Sequence, residues 1–108
     1  MSNKYHANRV KWKGLNFDSV HELERWIILQ DEEKRGLITD LHRQTPFEIV
    51  PAQVYKGKKI RPAIYIADFT YIRDGQQIVE DAKGVRTEVY KLKKKLVYQL
   101  YGIMIQET

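Results

Sequence analysis

The dipeptide Asp74-Gly75 sits between two apolar, β-rich runs, "YIADFTYIR" (residues 65–73) and "QQIVEDAKG" (residues 76–84). Asp-Gly in that setting predicts an antiparallel hairpin closed by a tight type I′ turn, because both central residues must take positive φ. The turn also sets the register. With Asp74 and Gly75 as the loop, Arg73 faces Gln76 and, counting back from the turn, Asp68 faces Asp81. A slip of one residue would set Asp68 against Ala82 and move every side chain to the other face. Directly opposed residues have Cβ atoms roughly 4.5–5.5 Å apart, and residues two apart on a strand share a face. Asp68, Asp81 and Lys83 therefore converge on one patch, while Glu80 points to the other side. Like charges placed directly opposite destabilise a sheet, and the neighbours Ile64, Ile66, Phe69, Ile72 and Ile78 are apolar. Two compensations are open: Lys83, or a divalent cation such as Mg²⁺, which prefers hard oxygen ligands.

The remaining segments arrange themselves around this hairpin. Ser19 followed by Glu22 is a capping-box pattern, and it predicts a helix with Val20, Leu23, Trp26, Ile27 and Gln30 at helical spacing, stopped at Gly36. "LITDLHRQTPFEIV" reads as a strand with a break at Thr45-Pro46, and "PAQVYKGKK" as a basic loop. Thr87 caps a second helix to about Tyr101, with Val89, Leu92, Leu96, Val97 and Leu100 as its apolar side and Gly102 at its end. "IMIQ" is a short last strand. The expected class is α/β (α+β), in the order helix, three strands, helix, strand. Residues 1–13 are expected to form a basic N-terminal arm, and residues 14–108 a single domain of a size that supports one modest core.

The chain has no cysteine, which removes disulfides and thiolate metal sites. No apolar run approaches the ~18 residues of a membrane-spanning helix, and the polar start lacks the apolar core of a secretory signal. A cytoplasmic protein is expected. The net charge is +5, which favours an anionic partner, most commonly nucleic acid. The cations gather in three places: Arg9, Lys11 and Lys13; Lys56, Lys58, Lys59 and Arg61; and Lys91, Lys93, Lys94 and Lys95. Each cluster reads equally as a solvated face. His6, His21 and His42 show no metal-ligand spacing.

The pattern Asp68 … Asp81-Ala82-Lys83 resembles the signature of the PD-(D/E)XK nuclease superfamily. That resemblance implies a restriction-endonuclease-like core, a mixed sheet flanked by two helices in the order αβββαβ. It also implies that Asp68, Asp81 and the carbonyl of Ala82 hold Mg²⁺ or Mn²⁺, that Lys83 is catalytic, and that a glutamate on the first helix, Glu22, completes the site. Ala67 stands where proline is frequent, and Asp81 where glutamate is more frequent, with Glu80 as the alternative acid. Gln44, at the end of the first strand pattern, corresponds to a polar side chain that some such nucleases place near the metal, and serves equally well as a hydrogen-bonding edge residue. The whole chain is similar to a small family of phage and prophage proteins through "NKYHA", "FDSVHELERW", "GLITDLHRQTPFEI", "YIADFTY" and "VEDAKGVRTEVYKLKKKL". The implied activity is Mg²⁺-dependent endonucleolytic hydrolysis of DNA in phage DNA metabolism, in the bacterial host cytoplasm. The absence of a base-reading helix-turn-helix pattern points to branched or junction DNA, as in Holliday-junction resolvases, and a homodimer would present two sites to two strands. The basic residues Arg9, Lys11, Lys13, Lys56, Lys58, Lys59, Lys91, Lys94 and Lys95 would track phosphates. Two other readings stand beside it: a non-catalytic DNA-binding or replication-accessory protein on the same fold, and a factor that binds an acidic protein partner.

Overall fold

The computed structural model describes residues 9–82 and 86–108. Lys83 and His6 lie outside the described residues. The elements run β1 (Val10–Trp12), β2 (Leu15–Phe17), α1 (Val20–Lys34), β3 (Thr39–Val50), β4 (Gln53–Tyr55), β5 (Lys58–Ile60), β6 (Ala63–Arg73), β7 (Gln76–Asp81), α2 (Glu88–Tyr101) and β8 (Gln106–Glu107). This is a mixed α+β fold. Its main sheet has the strand order β3-β6-β7-β8, antiparallel except for the parallel β7–β8 pair, and β1-β2 and β4-β5 are separate two-stranded hairpins.

Three hairpins close on the same dipeptide chemistry. Lys13-Gly14, Lys56-Gly57 and Asp74-Gly75 all have positive φ at both residues, the conformation that lets a two-residue loop follow the twist of its strands. Residues 10–13, expected as part of an arm, instead form β1 and its turn, and the loop expected at residues 51–59 is largely the β4–β5 hairpin. Only Asp-Gly carried flanking runs long enough to read as strands. The other two turns are flanked by strands of three residues each.

Both helices begin and end as their sequence signals require. Ser19 Oγ accepts from the Glu22 amide at 3.1 Å, and Thr87 Oγ1 from the Tyr90 amide at 3.1 Å. Gly102 takes the left-handed conformation and donates to the Tyr98 carbonyl. The buried stripes match those expected only in part: Leu23, Trp26, Gln30, Leu96 and Val97 are buried or partly so. On α1 it is Glu22 and Leu29 that are buried, with Trp26 packed beside them, while Val20 and Ile27 face outward. On α2 Tyr90 and Val97 are buried, with Leu96 partly so, and Val89, Leu92 and Leu100 are exposed. A stripe containing a glutamate does not register as amphipathic.

Two cores form, one on each face of the main sheet. Leu29, Ile38, Phe69, Tyr71 and Ala82 make the α1 side, and Ile49, Tyr65, Ala67, Val79, Tyr90 and Val97 the α2 side. In β7 the alternation is regular: Ile78 serves the first core and Val79 the second. In β6 it is not, because Tyr65 and Ala67 join the α2 core while Phe69 and Tyr71 join the α1 core, although all four have odd numbers. Regular pleating would keep them on one face. The same reversal occurs in β3. Arg43, paired with Phe69, lies over the rings of Phe17 and Trp26, whereas Thr45, paired with Ala67, hydrogen-bonds Thr70. Between them sits Gln44 with φ 54, a left-handed conformation uncommon for a non-glycine residue. The expected break at Thr45-Pro46 is therefore absent: Pro46 pairs with Ile66 within the ladder, tolerated on an edge strand; the register shifts fall between Thr39 and His42 and between Glu48 and Val50, and Gln44 takes its left-handed turn without losing register. Asp68 lies inside this reversal.

Candidate functional site

Glu22 enters the site from the helix start. It is buried, at 3 % exposure. Its amide serves the Ser19 cap while its side chain turns back: Oε1 accepts from the Asp18 amide at 2.9 Å and Oε2 from Gln44 Nε2 at 3.3 Å. The side-chain half of the capping box thus closes one residue before the cap. Through Gln44 it ties α1 to the irregular point of β3.

The β6–β7 ladder runs from Arg73–Gln76 to Phe69–Glu80, so the next position sets Asp68 against Asp81. Both are buried, at 4 % and 0 % exposure. Asp68 Oδ2 accepts from the Ala82 amide at 2.8 Å, and Asp81 Oδ2 from the Tyr65 hydroxyl at 2.6 Å. Burial first, and then the bond to Asp81, push the Tyr65 phenol well above the ordinary tyrosine range, so it stays a neutral donor. Asp81 also pairs with Glu107 of β8. Glu107 accepts from Tyr90, at 2.8 Å, and ion-pairs with Arg86 and Lys94, each at 3.1 Å. The Tyr90 hydroxyl, followed by Lys94 and Arg86, holds the Glu107 carboxyl below the usual range. By register, Gln44, Asp68, Asp81 and Glu107 occupy a row of positions across β3, β6, β7 and β8.

Glu80, the alternative acid, belongs to a different arrangement. It is fully buried on the α1 side. Arg25 grips both its oxygens, Nε to Oε2 at 2.7 Å and Nη2 to Oε1 at 2.8 Å, and Tyr71 and Thr108 donate to it at 2.8 and 3.1 Å. Such a bidentate, fully satisfied carboxylate anchors α1 and the chain end to β7. Burial, and then this bond, push the Tyr71 phenol up to about 12.

The donor chemistry of the row, hard carboxylate oxygens with the Ala82 carbonyl next to Asp81, fits Mg²⁺ or Mn²⁺. Among the described residues no group of three or more acid or histidine side chains is arranged to hold a metal ion. Glu22 stands tied to the row through Gln44 rather than as a third member of a ready cluster.

The basic clusters are spread over the molecule. Arg9 precedes the β1–β2 hairpin, which carries Lys11 and Lys13 and packs beside α1. Lys56, Lys58 and Lys59 lie on the β4–β5 hairpin. Lys91, Lys94 and Lys95 are on α2, on the opposite face of the sheet, where they rim a groove of about 880 Å³ floored by Leu92, Ile103 and Ile105. Lys91 is engaged by Glu88 and Lys94 by Glu107, which leaves Lys95 the most open to a phosphate of these three. His42 sits against Asp40 at 2.7 Å. Tyr65, Tyr90, Arg25 and Thr108 went unread in the sequence, because each meets its acid across a separation that no local pattern encodes.

These features define an α+β protein whose mixed sheet carries a buried carboxylate pair on its two inner strands. Residues 2–105 match the model of a family described as a protein of unknown function, DUF1064, and the chain belongs to that family. No curated protein and no solved structure matched. No helix among the described residues is long and apolar enough to cross a membrane.

Proposed function

We propose that this chain is a metal-dependent phosphodiesterase acting on DNA. The observation that carries the reading is the burial of Asp68 and Asp81 just past the Phe69–Glu80 end of the β6–β7 ladder, where Asp68 accepts from the amide of Ala82, the residue after Asp81. Burying two carboxylates side by side is costly, and one divalent cation offsets both charges at once. With the short hairpins β1–β2 and β4–β5 set aside, the elements run α1, β3, β6, β7, α2, β8, which supports a likeness to the PD-(D/E)XK core order that the sequence resembles. In this reading Asp68, Asp81 and the Ala82 carbonyl hold Mg²⁺ or Mn²⁺, with Glu22 reaching it directly or through water. The bound ion supplies polarisation of the phosphoryl oxygen and a water of lowered pKa. Tyr65 fixes the rotamer of Asp81 by donating to Oδ2. Lys83, outside the described residues, takes its role from its place two residues after Asp81: it orients the water and offsets charge growing on the phosphate. The exposed cations give salt-sensitive, largely sequence-independent attraction to the backbone.

The test is a cleavage assay on linear, flapped and four-way-junction DNA, with Mg²⁺ titrated and with Lys83→Ala and Asp81→Asn as variants. The parent should cut only with Mg²⁺ or Mn²⁺. Folded Lys83→Ala should lose a factor on the order of 10²–10³, as for other electrostatic stabilisers. No cutting of any substrate by folded parent at saturating metal would end the reading, as would a Lys83→Ala rate equal to the parent's.

A second reading is a DNA-binding protein without hydrolysis. It is favoured by the engagement of Asp68 by the Ala82 amide and of Asp81 by Tyr65, which gives both acids a structural use. Under it, calorimetry shows DNA binding but no Mg²⁺ binding that Asp81→Asn removes.

A further inference from the structure

The β4–β5 hairpin has a construction unlike the rest of the molecule. Residues 51–61 are all exposed, yet Gln53–Tyr55 and Lys58–Ile60 form a regular antiparallel ladder about the Lys56-Gly57 turn. A two-stranded ribbon with both faces in water is marginal on its own, and no core holds this one. Its apolar side chains lie in solvent: Val54 is 68 %, Tyr55 60 % and Ile60 42 % exposed. Lys56, Lys58, Lys59 and Arg61 stand among them, and no acid occurs between Glu48 and Asp68. Lys56 Nζ lies 5.6 Å from the Tyr55 ring centroid, so aromatic face and cation are presented together.

In the chain the ribbon joins the end of β3 to the start of β6. From Asp68 back to Ala63 is about 17 Å along β6, at ~3.3 Å per residue, and the tip lies at most roughly twice as far. That reach is comparable to one turn of duplex, about 34 Å. A polyanion of those dimensions is long enough to span from the ribbon to the part of β6 that carries Asp68.

We propose that the β4–β5 ribbon is a branch-recognition arm: its lysines hold phosphates, and Tyr55 stacks on a base left unpaired where duplex arms separate. The inference rests on the reading of this chain as a protein that acts on DNA, and it deepens that reading by naming the substrate feature. The chemistry selects the branch over plain duplex. Cations find phosphates on any DNA, but an aromatic ring can stack only on a base whose face is open, and in continuous duplex those faces are covered.

The experiment measures binding in the presence of a chelator, so that no cleavage occurs, by fluorescence anisotropy with a labelled four-way junction and a linear duplex of equal length. The proteins are the parent, Tyr55→Ala, Tyr55→Phe, and a triple variant carrying Lys56→Gln, Lys58→Gln and Lys59→Gln. The parent should prefer the junction. Tyr55→Ala should lose about tenfold on the junction, in line with one stacked base, and almost nothing on the duplex. Tyr55→Phe should restore the preference. The triple variant should weaken both substrates and flatten the salt dependence of log K by about 3, one per phosphate contact. Because the ribbon packs into no core, all variants should unfold at the parent temperature. Tyr55→Ala with parental preference, a parent without preference, or a triple variant with parental salt slope each overturns the proposal. So does a ribbon variant that changes oligomeric state by light scattering while its DNA binding is untouched, since the ribbon is then an interface between copies. A parent that never cuts DNA, with ribbon variants behaving as expected, removes the hydrolytic reading and leaves the arm standing.

Discussion

Replacing Arg25 with methionine should be the most destabilising single surface-reaching change in this protein. Arg25 is 21 % exposed at its side chain and Glu80 not at all, so the substitution leaves a buried carboxylate with its counter-charge removed. Tyr71 and Thr108 still donate to Glu80, which offsets part of the loss but supplies no positive charge. Removing one member of a buried pair costs about 3–5 kcal/mol, whereas replacing both by apolar groups of similar size is often neutral. With two neutral donors retained, about 3 kcal/mol is the expected cost of Arg25→Met. In a chain of this size that corresponds to a fall in Tm on the order of 12 °C. The double variant Arg25→Met with Glu80→Met should recover most of it. Urea unfolding of the parent, both single variants and the double closes the cycle, and a coupling of at least ~2 kcal/mol is expected. If Arg25→Met costs under ~1 kcal/mol, or if the double variant is as weak as the two singles added, the bidentate pair does not anchor β7 as argued. The same set separates Glu80 from Asp81. In the proposed enzyme, the folded double variant should keep its metal-dependent activity, and Asp81→Asn should not.

Glu22→Gln keeps the Ser19 cap, which uses only the backbone of residue 22, so stability should fall by no more than about 1 kcal/mol; if Glu22 serves a metal, the Mg²⁺ titration shifts to markedly higher concentration, and an unshifted titration confines it to the helix start. Tyr65, Tyr71 and Tyr90 all have raised pKa values. For Tyr71 the folded value of about 12 stands above an unfolded ~10, so its contribution is full below pH ~10 and is lost as pH rises toward 12. Absorbance at the phenolate band should therefore report these three only together with alkaline unfolding, and their ionisation in still-folded protein would contradict the burial described. Glu107 works with the opposite sign: its lowered pKa stabilises above the unfolded carboxylate range and is lost as pH falls through the folded value, so Glu107→Gln should flatten the acid limb of a Tm–pH curve, and an unaltered limb would show that Tyr90, Lys94 and Arg86 do not stabilise its charge.

What the sequence disclosed was local. Ser19, Thr87 and Gly102 announced helix ends because capping chemistry lies within a few residues, and Asp74-Gly75 set a register that holds through Phe69–Glu80. Contacts between distant segments were closed to reading. Nothing near Glu80 indicates that Arg25, 55 positions earlier, will grip it, and nothing near Asp81 indicates Tyr65. The left-handed Gln44 was equally hidden, since the residues that most readily take that conformation are glycine and asparagine. The exposed apolar stripe of α2, Val89, Leu92 and Leu100, misled the periodicity because spacing alone does not say which side meets the sheet.

The reversal of side-chain alternation at Gln44 and Asp68 has a mechanical meaning. Ala67 to Tyr71 are five consecutive buried residues, clamped by one core up to Ala67 and by the other from Phe69 onward. Asp68 sits at the changeover, where the strand is gripped from both faces within three residues. Asp68 is thus fixed by residues of both cores rather than of one. Its carboxylate is held as a rigid node of the framework, and its geometry persists until both cores give way together.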